Sequence, residues 1–303
     1  MIIIIGYSIG IKMNEYEIRV FGIKHSGQHA IINWIATLFD EPVYFFNNCG
    51  WNHDPYRTSR TRGVRKGTPI ENIFVALPKL KNEEEVVLEK LKRTPKKCLM
   101  YSYENVYVDR VNRERKPATP EGIVGNSNKV FDVLMLRDIF NLVASTMKYT
   151  GRVFNEKDRA GDDEYLSEFD YKNYLYRDKL KKKFDLAAFE FLGWSNHLRE
   201  KKICISFNDW FLSKGYRECI ATKFGLPNNE ISINIIAGVG NRGSRFDNFE
   251  YDGRAKEMDI LGRWKHFKDN KAFWDLMREW NDSVILSNEI FGEIPGVEEY
   301  LYA

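Results

Sequence analysis

Apolar and polar positions along this chain alternate between two periods. "EIRVFG" places a strand at 17–22, and the apolar residues that follow recur at helical spacing from about 27 to 39. "PVYFF" (42–46), "KCLMYSY" (97–103), "VFDVLMLR" (130–137) and "KICISF" (202–207) read as four more strands. The run at 130–137 is apolar apart from Asp132 and the closing Arg137, which suits a central parallel strand covered on both faces. A polar, Arg-rich stretch extends to about residue 72, and a charged helix covers roughly 82–93. Another helix begins near Phe140, and 155–200 reads as helical, including "DLAAFEFLGWSNHL". "YRECIATKFGL" is a helix ended by Gly225 and Pro227, 238–263 is a Gly- and Arg-rich loop, and "KAFWDLMREWNDSVILSNEIFG" reads as one closing amphipathic helix.

Strands alternating with helices predict an α/β chain of three layers. A central parallel sheet of about five strands carries helices on both faces. No linker divides residues 1–303, so a single domain is expected, with 150–200 as a helical insertion. Residues 1–12, "MIIIIGYSIGIK", are read either as an extra strand or as a mis-called start, because Met13 opens directly onto the first core strand. That segment is too short to span a bilayer and lacks a basic leader, so no membrane association is expected.

Composition narrows the class. Apolar residues make up 43% and charged residues 29%, which suits a soluble globular protein. The net charge of +3 is too small for bulk nucleic-acid binding. Cys49, Cys98, Cys204 and Cys219 show no metal-ligand spacing, and two of them fall in predicted buried strands. They read as free thiols in a reducing compartment, the cytoplasm. The pattern carries no signal about oligomeric state.

"FGIKHSGQHA" (21–30) carries the first candidate chemistry. A strand ends at Gly22, four residues lead to Gly27, and a helix opens. Successive backbone N–H groups at such a turn form an anion nest at the positive end of a helix dipole. Lys24, His25, Ser26, Gly27, Gln28 and His29 are therefore candidate phosphate or sulfate ligands. The glycine spacing is that of the G-x-x-x-x-G-K-[ST] loop, but Gln28 and His29 replace the Lys and the Mg²⁺-binding hydroxyl. A metal-bridged triphosphate is poorly served, and a donor needing no metal fits better. Arg137, ending the central strand, and Ser145, eight residues on, form a second candidate anion clamp. The plainer reading pairs Arg137 with Asp138.

Together these residues resemble the sulfotransferases that use 3′-phosphoadenosine 5′-phosphosulfate (PAPS). "GIKHSGQHA" resembles the family's 5′-phosphosulfate loop, nearer to that of its glycan-modifying branch. "LRDIFNLVAS" resembles the 3′-phosphate element R-[DN]-P-x-[DN]-x-x-x-S, with Ile139 replacing Pro. "ISFNDWFLSKGYRECIATKFGLP" and "GRWKHF" (262–267) resemble two later elements, in the family's order. The resemblance implies a P-loop-type fold and a sulfotransferase with PAPS as co-substrate, adenosine 3′,5′-bisphosphate (PAP) as product and no metal. It also implies that Lys24 to His29 hold the phosphosulfate. Arg137 and Ser145 would hold the 3′-phosphate, with Gly262, Arg263, Trp264 and Lys265 completing that pocket. Arg242 and Arg245 could add charge.

The sequence departs from the family at His25, which stands where most members carry a lysine; Lys24 is one place early. Either residue could neutralise the leaving phosphate, and Lys24 is the expected one. The general base is expected first at Glu41, just before the second strand, then at Glu104 or His53, with Asp54 nearby. "YRTSRTRGVRKG" (56–67) and "DRVNRERK" (109–116) cluster arginines beside strand ends, and Trp51 and Tyr56 lie among them. They suit either an anionic glycan acceptor or plain solvated loops. Two other readings stand beside the enzyme: a P-loop small-molecule kinase, and a non-catalytic nucleotide- or glycan-binding protein.

Overall fold

The computed structural model describes residues 13–50, 54–58, 61–65, 89–113, 124–158, 174–227, 233, 244–248, 250–251 and 253–302. The six strands among them are β1 (Asn14–Gly22), β2 (Val43–Asn47), β3 (Thr61–Arg65), β4 (Lys96–Glu104), β5 (Ser127–Leu136) and β6 (Ile203–Ser206). They form one sheet in the order β3-β2-β4-β1-β5-β6. The expected five strands are present and mutually parallel. The sixth, β3, lies within the stretch read as polar loop and pairs antiparallel to β2. "TRGVR" offers no apolar alternation because an edge strand needs only its backbone pairing, and charge there discourages further association.

The central strand β1 is buried on both faces. Tyr16, Ile18 and Val20 point into one apolar layer, and Phe21 into the other. Helix α1 (Gln28–Thr37) lies in the first layer, where Ile31, Ile32, Trp34 and Ile35 are buried. Each such side chain stabilises the fold by about 1.5–3 kcal/mol. Trp34 meets Trp210, from a helix at Phe207–Leu212, edge to face. The opposite layer holds the helix Ile139–Asp158 (through Ile139, Phe140, Leu142 and Val143) and the helix Tyr174–Phe191 (through Leu180 and Phe184). These two occupy part of the stretch expected to be helical; 159–173 lies outside the described residues, and 192–200, also expected helical, is turn and irregular backbone because Gly193 (φ 77°) ends the helix after Phe191.

The polar groups that β1 sends into this second layer are paired. Arg19 and Asp132 pair at 2.7 Å, and Glu17 accepts from Tyr101 and Ser127 at 2.5 and 2.6 Å. The closing segment is two helices, Lys271–Glu279 and Asn281–Phe291, rather than one. The break falls at the buried Trp280. The apolar period continues across the break, so the pattern alone could not reveal it.

Candidate active site

The loop after β1 leads to α1 on one face of the sheet, and the loop after its neighbour β5 leads to the helix at Ile139 on the other. Connections leaving adjacent parallel strands toward opposite faces open a crevice at the strands' carboxyl ends, where such sheets bind ligands. Both candidate anion elements border this crevice.

Across β1, Gly22 aligns with Glu104 on β4 and Met135 on β5. The turn that follows is compact: Ser26 N–H donates to the Ile23 carbonyl at 3.1 Å, and Lys24 N–H donates to Asn105 Oδ1 at 3.0 Å. His25 (φ 69°) and Gly27 (φ 85°) both take left-handed backbone conformations. Gly27 caps α1 with no side-chain acceptor, and the first turn carries no carboxylate, so the helix's leading N–H groups have no built-in anion. Ser26, just ahead of them, is buried with its Oγ unpartnered.

Gly27 is also required by packing. A Cβ at this position would lie 2.3 Å from the Phe207 ring. Gly27→Ala is therefore expected to destabilise the protein by about 2–4 kcal/mol, combining the left-handed penalty with overpacking. Urea titration against the wild type measures the loss.

Gln28 and His29 are tied to Glu104. Gln28 Nε2 donates to Glu104 Oε1, and His29 Nε2 lies 3.2 Å from the same oxygen. Burial opposes ionisation of Glu104. His29, the Gln28 hydrogen bond and the charge of Lys24 outweigh it and hold the carboxyl below its ordinary range. A carboxylate thus stands at the loop, ionised at neutral pH. Gln28 replaces the lysine of a triphosphate loop and spends its amide on this contact.

The second element centres on Arg137, which is 0% exposed. It is not paired with Asp138. One Asp138 oxygen accepts from the Asn141 backbone and side chain, both at 2.9 Å, and the other accepts from Asn208 at 3.0 Å. Arg137 Nη2 donates to the Ile260 carbonyl, while Nε and Nη1 are buried without partners. Its guanidinium lies 4.9 Å from the Phe207 ring, the same ring that packs on Gly27. Burial, and then the like charge of Arg263, push the Arg137 pKa well down.

Arg263 is itself buried, and burial lowers its pKa to about 10 despite Asp247 and Asp138. It donates to Ser145 Oγ at 3.1 Å and Ser244 Oγ at 2.7 Å, and sits 3.5 Å from Asp247. Arg137, Ser145 and Arg263 are thus neighbours. Two neutral links hold the 260s segment against this pocket: Asn141 Nδ2 to the Leu261 carbonyl (3.1 Å) and Trp264 N–H to Asn141 Oδ1 (3.3 Å).

Other expected site residues lie elsewhere. The Trp264 ring is buried in the core against Trp274 and Tyr300, leaving only its backbone at the pocket. Lys265 is exposed and pairs with the exposed Asp259 at 3.0 Å. Gly262 is buried, and a Cβ there would run into the Asp259 side chain. Glu41 precedes β2, so it sits at the amino edge of a parallel sheet, 3.6 Å from Lys97 near the start of β4 and across the sheet from the loop. Of the remaining base candidates, Asp54 pairs with Lys92 at 2.6 Å, and His53 is outside the described residues, as are Arg242 and the side chain of Arg245. The sequence reading missed Asn105, which accepts from Lys24 N–H, Phe207, which packs on Gly27 and Arg137, and Asn208, which donates to Asp138; none belongs to a charge or spacing pattern.

No family model matches the chain, and no curated protein matches it. Among the solved structures that match is mouse sulfotransferase SULT7A1 complexed with PAP, 15% identical, covering 95% of this chain and 90% of that one, with a TM-score of 0.44. A score at that level carries no argument about function. Among the described residues, no helix is long and apolar enough to cross a membrane.

Proposed function

We propose that the protein is a sulfotransferase that moves a sulfonyl group from PAPS to a hydroxyl or amine. The observation that carries this reading is Arg137: a fully buried guanidinium with two unpartnered nitrogens beside a second buried arginine. An uncompensated buried charge is costly, and native proteins satisfy nearly all buried polar atoms. A phosphate monoester supplies the missing acceptors and offsets both cations. The unpartnered Ser26 Oγ and the leading N–H groups of α1, whose first turn has no acid of its own, make a second anion seat after the neighbouring strand, with Glu104 held beside it by the Gln28 and His29 side chains. Two seats on adjacent strands suit one ligand bearing two phosphoryl groups, and the sequence resemblance names one.

PAPS supplies an activated sulfonyl group on a phosphate leaving group, so acceptor–OH becomes acceptor–O–SO₃⁻ with release of PAP and a proton. In this reading Arg137, Ser145 and Arg263 hold the 3′-phosphate. The 24–29 backbone and Ser26 hold the 5′ end, and Lys24 neutralises charge on the leaving phosphate. Glu104 accepts the acceptor's proton, with Gln28 and His29 fixing its orientation. Fixed donors aimed at developing charge need no reorganisation at the moment of transfer, which is where such sites gain rate.

Thermal unfolding with PAP, and separately with ATP and Mg²⁺, tests the reading. Saturating PAP at a hundredfold excess over its Kd is expected to add about 2.7 kcal/mol of stability. ATP with Mg²⁺ is expected to add little, and radiolabelled sulfate is expected to leave PAPS in the presence of an acceptor. Stabilisation by ATP with Mg²⁺ alone would point to a kinase. Stabilisation by PAP without transfer would point to a binding protein.

A further inference from the structure

Beyond Glu104 the chain turns at Asn105, which holds the phosphate loop, and reaches Tyr107. Tyr107 is the third residue after Glu104, at most about 10 Å of backbone away. Three cations surround the Tyr107 ring: the Arg110 guanidinium at 4.8 Å, Lys183 Nζ at 5.3 Å and Lys182 Nζ at 5.8 Å. Arg110 belongs to the same turn, while the lysines come from the helix Tyr174–Phe191, some 75 residues later.

Among the described residues these charges have no counter-charge beside them: no carboxylate lies within ion-pair distance of Arg110, Lys182 or Lys183. The neighbouring Lys181, by contrast, is paired with Asp185 at 2.8 Å on its own helix. Burial, and then Lys179 and Arg110, pull the Lys183 pKa down, as expected where like charges are held together without a counterion. The face of Tyr107 offsets part of this repulsion through its quadrupole, but an aromatic ring cannot neutralise three cations. Arg110 and Lys182 are exposed and Lys183 is half-buried, so solvent screens part of the repulsion; even so, charges from two distant segments converge on one ring beside the crevice.

We infer that Tyr107, Arg110, Lys182 and Lys183 form the seat for an anionic group on the acceptor, so that the substrate is a hydroxyl compound carrying its own carboxylate. This inference rests on the sulfotransferase reading and narrows it to anionic acceptors. Tyr107 and Arg110 are set by the turn after β4 and the lysines by a helix packed on the core, so the seat exists before the acceptor arrives.

Two chromogenic probes differing only at one carbon make the test: 4-nitrophenyl β-glucuronide, with a carboxylate, and 4-nitrophenyl β-glucoside, with a hydroxymethyl group. Equilibrium dialysis of the full chain with PAP bound is expected to show about tenfold tighter binding of the glucuronide, with the margin shrinking as salt is raised. The double variant Lys182→Gln/Lys183→Gln is expected to lose the preference while its stabilisation by PAP is unchanged, which also establishes that it folds. Equal binding of the two probes by the wild type, or an undiminished preference in the double variant, overturns the inference. Failure of the wild type to respond to PAP would instead overturn the sulfotransferase reading, so the two failures are distinct.

Discussion

Arg137→Met is expected to raise the stability of the ligand-free protein and to abolish its stabilisation by PAP. The gain arises because Met removes two buried nitrogens that have no partner, each a desolvation cost of about 1–3 kcal/mol, while keeping much of the volume. Part of this is offset by loss of the bond to the Ile260 carbonyl and of the cation's contact with Phe207. Methionine sulfur against the same ring recovers some of the second. A net gain of about 1–2 kcal/mol is expected, read as a higher urea midpoint with an unchanged slope. The loss falls on binding. Removing one partner of a desolvated, hydrogen-bonded charge pair costs about 2–5 kcal/mol, so PAP affinity should fall by about two orders of magnitude or more. If Arg137 served the fold alone, the signs would reverse: the variant would be less stable and bind PAP normally.

Glu104→Gln is expected to lower kcat by about 10²–10⁴-fold while leaving PAP affinity nearly unchanged. The amide oxygen can still accept from Gln28 and His29, so the loop's geometry is kept and only proton acceptance is lost. Glu41→Gln, at the far edge of the sheet, is expected to turn over normally. The pH profile adds a second readout. The Glu104 carboxyl is held below its ordinary value of 4.5, so the base form persists at neutral pH, and the acid limb of kcat/KM should begin only below that value. Linkage has the same sign: a depressed carboxyl pKa adds stability that is complete above the unfolded value and is lost as pH falls through the folded one. Near-wild-type turnover in Glu104→Gln would remove the residue from the mechanism.

Much of this site was legible before any coordinates, and particular residues show where legibility stopped. The Gly22-to-Gly27 spacing announces a strand, a nest and a helix because those steps are local. Arg137 and Ser145 are eight residues apart on one strand-to-helix connection, again a local relation. Glu41 was ranked above Glu104 on likeness of sequence, although a simple geometric rule separates them. In a parallel sheet a residue before its strand lies at the amino edge, whereas one ending its strand lies at the carboxyl edge with the ligand. Trp264 and Lys265 join Arg263 in the sequence reading because "GRWKHF" resembles one family element as a block. In a 3₁₀ turn (Arg263–Phe267) successive side chains point about 120° apart, so the three neighbours reach the pocket, the core and solvent in turn. Phe207 and the lysines around Tyr107 depend on contacts across tens of residues, which no period or spacing encodes. The β3 edge strand escaped for a different reason: its pairing is carried by backbone, and its side chains carry no pattern.

The unfilled guanidinium of Arg137 also has a kinetic side. In the proposed sulfotransferase, the phosphate held there is present in the donor before transfer and in the spent nucleotide after it. Energy gained there is common to ground state, transition state and product complex, so it lowers the concentration of donor needed without speeding the transfer itself. The same energy must be given back before the next turnover can start. A site that meets its ligand with a buried, unsatisfied cation therefore trades speed of release for tightness of capture. In such an enzyme the departure of the spent nucleotide, rather than the movement of the sulfonyl group, is the natural slow step.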